Sequence, residues 1–153
     1  MTSDGISQED WDRVGELAAN IVNASSAGDQ VLDESLTEAL LDHLDQLERK
    51  YGELPSILAT RADYLSDVQE RITLLKRAYE AAKGRKDYKN KTLISSSLSD
   101  LYVRELKDCQ SGQFWLGELR ESLDTYWDDW EASILDELSK LIKAQMEETQ
   151  SHS

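Results

Sequence analysis

Apolar residues recur at steps of three and four along almost the whole chain, the spacing of a helix face. Trp11, Val14, Leu17, Ala18, Ile21 and Val22 make the first stripe. Ser7 is a good N-cap for it, Glu9 and Asp10 suit its first turn, and Gly28 ends it. A second helix is predicted from near Asp33, with Leu36, Leu40, Leu44, Leu47 and Tyr51 as its stripe and Gly52 beyond its end. Pro55 suits the first turn of a third, whose apolar side is Ile57, Leu58, Ala62 and Leu65. Asp67-Val68-Gln69-Glu70 has capping-box spacing and starts a fourth, which carries Ile72, Leu75, Ala78, Tyr79 and Ala82 and stops at Gly84. Asp87 caps a fifth, with Ile94, Leu98, Leu101, Tyr102 and Leu106. Ser95, Ser96 and Ser97 crowd its centre. They are mediocre helix formers, but small enough for another helix to approach closely.

Ser111-Gly112 is expected to separate the fifth helix from a long C-terminal segment. There Phe114, Leu116, Leu119, Leu123, Trp127, Trp130, Ile134, Leu138 and Leu141 hold helical spacing. No proline or glycine interrupts residues 118–148, so the segment is either one long helix or two with a bend near Asp124-Thr125. Nothing alternates as a strand would. The expected fold is all-α, about six helices in an antiparallel bundle or in stacked pairs, with a long C-terminal helix. Residues 1–153 should form one domain, frayed at 1–6 and 147–153.

Composition supports this. A chain of 153 residues with one proline and seven glycines favours long helices, and at this length folding buries roughly 70% of the unfolded surface. No apolar run approaches the roughly 20 residues of a membrane span. The polar, acidic N-terminus does not look like a targeting sequence. A single cysteine, Cys109, cannot close an internal disulfide and fits a reducing compartment, so a cytoplasmic location is expected.

Charge is sorted into blocks. Residues 1–48 hold twelve acids and one base, residues 49–110 thirteen bases and nine acids, and residues 111–153 ten acids and three bases, within an overall −14. Such an acidic excess disfavours nucleic acid and anionic membranes, and favours a basic protein partner or solubility alone. The basic middle is densest at Lys83, Arg85, Lys86, Lys89 and Lys91. It is best explained by the C-terminal end of the fourth helix, where cations are favourable.

Residues 58–82, LATRADYLSDVQERITLLKRAYEAA, resemble one tetratricopeptide helix pair. Leu58, Ala59 and Ala62 take the places in its first helix, and Ile72, Leu75, Ala78 and Tyr79 those in its second. A weaker second unit runs from Leu98 to Leu123. The match covers about half the chain and lacks the closing proline of the repeat. The stretch YGELPSILATRADYL, with the capped helix after it, is similar to segments of small bacterial immunity proteins encoded beside toxins. The first resemblance implies stacked helix pairs with a concave binding face, as in an adaptor or a chaperone for a secreted client. The second implies a non-catalytic protein that blocks a toxin.

Signatures of chemistry are sparse. His43, in Asp42-His43-Leu44-Asp45, sits on a helix and is expected to be structural, and His152 falls in the tail. Neither has the Glu-x-x-His spacing of a di-iron bundle, and no Cys/His spacing suits zinc. Cys109 and Ser95 to Ser97 lack the setting of a nucleophile, and the glycines form no phosphate loop. The expectation is no enzyme, no catalytic residues, no metal and no cofactor.

One segment stands out. Asp124-Thr125-Tyr126-Trp127-Asp128-Asp129-Trp130-Glu131 puts four carboxylates and three aromatics into eight residues. On a continuous helix Trp127 and Trp130 would share a face, with Asp124, Asp128 and Glu131 beside it and with Asp129 and Tyr126 elsewhere. Trp and Tyr anchor interfaces, and carboxylates around them steer cationic partners. The alternative role is core, because the two tryptophans continue the stripe from Leu123 to Ile134. These seven residues are the candidate partner-binding site. The expected partner is a basic protein, a cognate toxin domain in the leading reading, and not nucleic acid or membrane. A Trp-bearing helix would also serve a homo-oligomer.

Overall fold

The structure, a computed structural model, describes residues 1–151. Among them are seven α-helices and no strand: α1 (Gln8–Ser26), α2 (Gln30–Tyr51), α3 (Pro55–Ala62), α4 (Val68–Arg85), α5 (Tyr88–Asp100), α6 (Cys109–Thr125) and α7 (Asp129–Ser151). The fold is all-α, as the periodicity predicts. Side-chain caps account for most of the starts. Ser7 accepts from the N–H of Asp10, Asp29 from Leu32, Asp67 from Gln69 and Glu70, Asp87 from Asn90, and Asp108 from Ser111. No described helix is long and apolar enough to cross a membrane.

Successive helices pack as neighbours: α1 on α2, α3 on α4 and α5 on α6. α5 is the hub, touching α3, α4, α6 and α7. Its serines make that possible. Ser95 and Ser99 are fully buried, and their hydroxyls donate to the carbonyls of Lys91 (2.6 Å) and Ser95 (2.7 Å) one turn back. The polar groups are thus satisfied within the helix, and small side chains face the neighbouring helices.

The core runs as three clusters along the stack. The first joins Ile6, α1, α2 and the start of α3, around Leu17, Leu40, Leu44 and Ile57. The central one joins α3, α4 and α5 with Trp115 of α6. The third joins α6, α7 and Val103, around Leu119 and Leu138.

Some element ends differ from those that the sequence pattern predicts. Residues 1–6 are held against the start of α3. Asp4 stands over the start of α3 and accepts from the Ser56 N–H (2.7 Å) and the Ser56 hydroxyl (2.9 Å), where Leu54, the local cap position, offers no side-chain cap. Ile6 is fully buried behind it. At the other end α7 stays helical through Ser151, and His152 and Ser153 lie outside the described residues.

The end of α4 is set by Lys86, which is left-handed at φ 57°, and not by Gly84. The fifth helix runs into a π turn at Leu101–Glu105, in which the Leu106 N–H donates to the Leu101 carbonyl (3.0 Å). This turn drives Val103 into the α6–α7 cluster and leaves Leu106 exposed. The break then falls at residues 106–108, so Ser111 and Gly112 lie inside α6. Gly112 is buried there, and only glycine fits, because a Cβ would stand 2.8 Å from Val103 Cγ2.

Of the two forms expected for the C-terminal segment, the structure has the second, two helices with the break after Thr125, and the last helix is long. Tyr126 turns extended after α6. Asp128 then caps α7, its Oδ1 accepting from the Glu131 N–H at 2.9 Å.

Candidate functional site

The segment 124–131 is the link between α6 and α7, so its side chains do not follow one helical face. Trp127 and Trp130 are the two most exposed tryptophans, at 67% and 71%. A core role for them is therefore excluded. Each borders a different cleft. Trp127 lies on one of about 360 Å³ between α6 and α7, with Arg120, Leu123, Ala132 and Leu135. Trp130 lies on one of about 240 Å³ bounded by α4, α5 and α7, with Arg71, Ser96, Asp100 and Glu131.

The carboxylates divide by task. Asp124 and Asp129 are exposed. Asp129 Oδ1 accepts from the Trp127 indole Nε1–H at 2.7 Å, which fixes that ring at the surface. Asp128 is the cap of α7. Glu131 is buried at 8% exposure, and its Oε2 has no partner within the chain. Burial pushes its carboxyl up; the Ser96 hydroxyl pulls the other way, and the nearby charge of Asp128 adds to the rise. Tyr126 is half-buried. The seven candidate residues thus lie on the α6–α7 link, between two clefts. The link presents Asp124, Trp127, Asp129 and Trp130 outward and withdraws Glu131.

Residues outside the segment line the Trp130 cleft as well. Ser96 and Ser97 of α5 belong to the small-residue run that lets a helix approach, whereas Arg71 of α4 and Asp100 of α5, which no local pattern marks, reach the cleft only through tertiary packing.

The other groups of chemical interest are engaged structurally. His43 Nε2 contacts the Asp10 carbonyl at 3.1 Å, tying α2 to α1. Cys109 opens α6, not the end of the fifth helix, and its thiol donates to Gln145 Oε1 at 3.1 Å. The Tyr79 hydroxyl donates to the Glu118 carboxylate, and burial together with that bond pushes its pKa well above the usual phenol range. Among the described residues no group of three or more His, Cys, Asp or Glu is arranged to hold a metal ion. The basic cluster stays at the α4–α5 turn, where Lys91 lies over the rings of Tyr79 (5.7 Å) and Tyr88 (5.3 Å).

Compared with known proteins, the chain matches no family model, no curated protein and no solved structure.

Proposed function

We propose that this chain is a non-catalytic protein-binding protein, and that it docks a basic partner on the α6–α7 link. The observation that carries the reading is the exposure of Trp127 and Trp130 at 67% and 71%, with Asp124 and Asp129 beside them. Folding gains little from large rings left in water, whereas an interface gains a great deal by covering them. The chain's net charge of −14 supplies long-range attraction for a cationic surface, and the acids of the link would direct its final approach.

In its specific form the proposal is an immunity protein that neutralises a cognate toxin. The resemblance of residues 51–65 to such proteins motivates it, and the acidic excess supports it. Neutralisation by occlusion requires no proton transfer. It requires anchors that fill a pocket and charges that face a basic cleft. The test is co-expression with a basic toxin domain encoded beside this chain. Rescue of growth by the wild type, lost in the Trp127→Ala/Trp130→Ala double variant, supports the proposal. Absence of both binding and rescue sinks it.

A further inference from the structure

The cleft beside Trp130 contains one carboxylate that the fold does not balance. Its lining includes Asp100, Glu131 and Arg71. Asp100 pairs with Arg104 at 2.8 Å. Arg71 forms no ion pair among the described residues, and its Nε is buried without an acceptor; the carboxyl on which its charge acts is that of Asp63, which burial pushes up and Arg71 draws back. Glu131 has no such company. Among the described residues no Lys, Arg or His forms an ion pair with it. The charge that it feels is that of Asp128, of its own sign. A carboxylate more than nine-tenths buried, with an unpartnered oxygen and no cation, is costly unless a counter-charge arrives from outside.

We propose that this cleft receives one arginine side chain of the basic partner, with Glu131 as its counter-charge and the Trp130 indole as its lip. The inference rests on the reading that the partner is a basic protein. Arginine fits better than lysine for two reasons. A planar guanidinium stacks on an exposed indole, and its fork reaches a carboxylate while also donating to hydroxyls such as those of Ser96 and Ser97. The cleft, at about 240 Å³, has room for one such group and little else.

The test needs no partner. Nα-acetyl-L-arginine methylamide is titrated into the full chain while the Trp130 indole N–H resonance, assigned with Trp130→Phe, is followed by NMR. The citrulline analogue, equal in shape but uncharged, is the control. The expected result is a saturable shift with the arginine compound and none with citrulline. Glu131→Gln should weaken the arginine compound by at least about tenfold. A surface control, Glu38→Gln, should leave it unchanged. Equal response to citrulline, an unaffected Glu131→Gln, or no saturable shift would each overturn the assignment. Failure here is separable from failure of the docking reading. If a partner binds through Trp127 and Trp130 and ignores Glu131→Gln, docking stands and the arginine cleft falls.

Discussion

The indole N–H of Trp127 donates to Asp129 Oδ1 at 2.7 Å, so a carboxylate two residues away holds the ring in place at the surface. A ring fixed in this way loses less side-chain entropy when a partner covers it. It also contributes little to folding, because its faces remain in water.

The tryptophans should therefore separate cleanly in a stability assay. Trp127→Ala and Trp130→Ala are expected to stay within about 0.5 kcal/mol of the wild type. Trp115, at 7% exposure and edge-on to Tyr79 at 5.0 Å, should cost about 3–5 kcal/mol as Trp115→Ala. Urea unfolding followed by circular dichroism measures all three. Similar losses for Trp115 and Trp130 would contradict the placement of the link.

The cap on α3 comes from Asp4, far away in sequence. Asp4→Ala removes two hydrogen bonds to Ser56 and is expected to destabilise the fold by about 1–2 kcal/mol. Amide hydrogen exchange should localise the loss to the first turn of α3 and to residues 1–7. Unchanged protection at Ser56 would show that the cap contributes nothing.

Asp10 should make the α1–α2 pair acid-sensitive. The Lys50 ammonium at 2.8 Å and the Tyr51 hydroxyl at 2.6 Å hold its carboxyl down at about 2. A carboxylate depressed in the fold stabilises it above the unfolded pKa, near 3.9. That contribution is lost as pH falls from about 5 toward 2. Urea midpoints measured across this window should fall more steeply for the wild type than for Asp10→Asn. Parallel curves would show that Asp10 does not contribute.

Glu131 should behave in the opposite sense. Its carboxyl is pushed up by burial, with Asp128 adding to the rise and Ser96 opposing it. Arg71 and Asp100 are the other charged groups lining its cleft. A carboxyl raised in the fold carries no penalty while protonated. The penalty appears as pH rises from the unfolded value through the folded one, and persists at neutrality. Glu131→Gln is expected to gain on the order of 1 kcal/mol at pH 7. The gain should vanish below about pH 4, where the wild-type carboxyl is protonated as well. A gain independent of pH would assign the effect to shape and not to charge.

Much of the fold was legible because the helical stripes are long and the caps are strong. Ser7, Asp67 and Asp87 act as their positions imply. The π turn at Leu101–Glu105 was not legible. It depends on how Val103 seats against Gly112 and Ile142, which no local spacing encodes. The α6–α7 break was legible in part, as a bend near Asp124-Thr125. Its cap was not: Asp128-Asp129-Trp130-Glu131 repeats the spacing of Asp67-Val68-Gln69-Glu70, but the apolar stripe running through Trp127 and Trp130 masked it. The candidate segment was found for its composition, whereas its geometry came from that cap. Capping α7 at Asp128 turned both tryptophans outward and drew Glu131 inward. Arg71, Ser96 and Asp100 joined the site through packing between helices distant in sequence.

The central claim is that the exposed tryptophans of the α6–α7 link dock a basic protein. Its most direct measurement is the association rate of the chain with a basic partner protein, the proposed cognate toxin domain, across a range of salt, for wild type and Trp127→Ala/Trp130→Ala. The account predicts a wild-type on-rate that falls steeply with ionic strength. It predicts for the double variant a similar on-rate with a dissociation rate faster by at least about a hundredfold. Equal dissociation rates for the two proteins would contradict it.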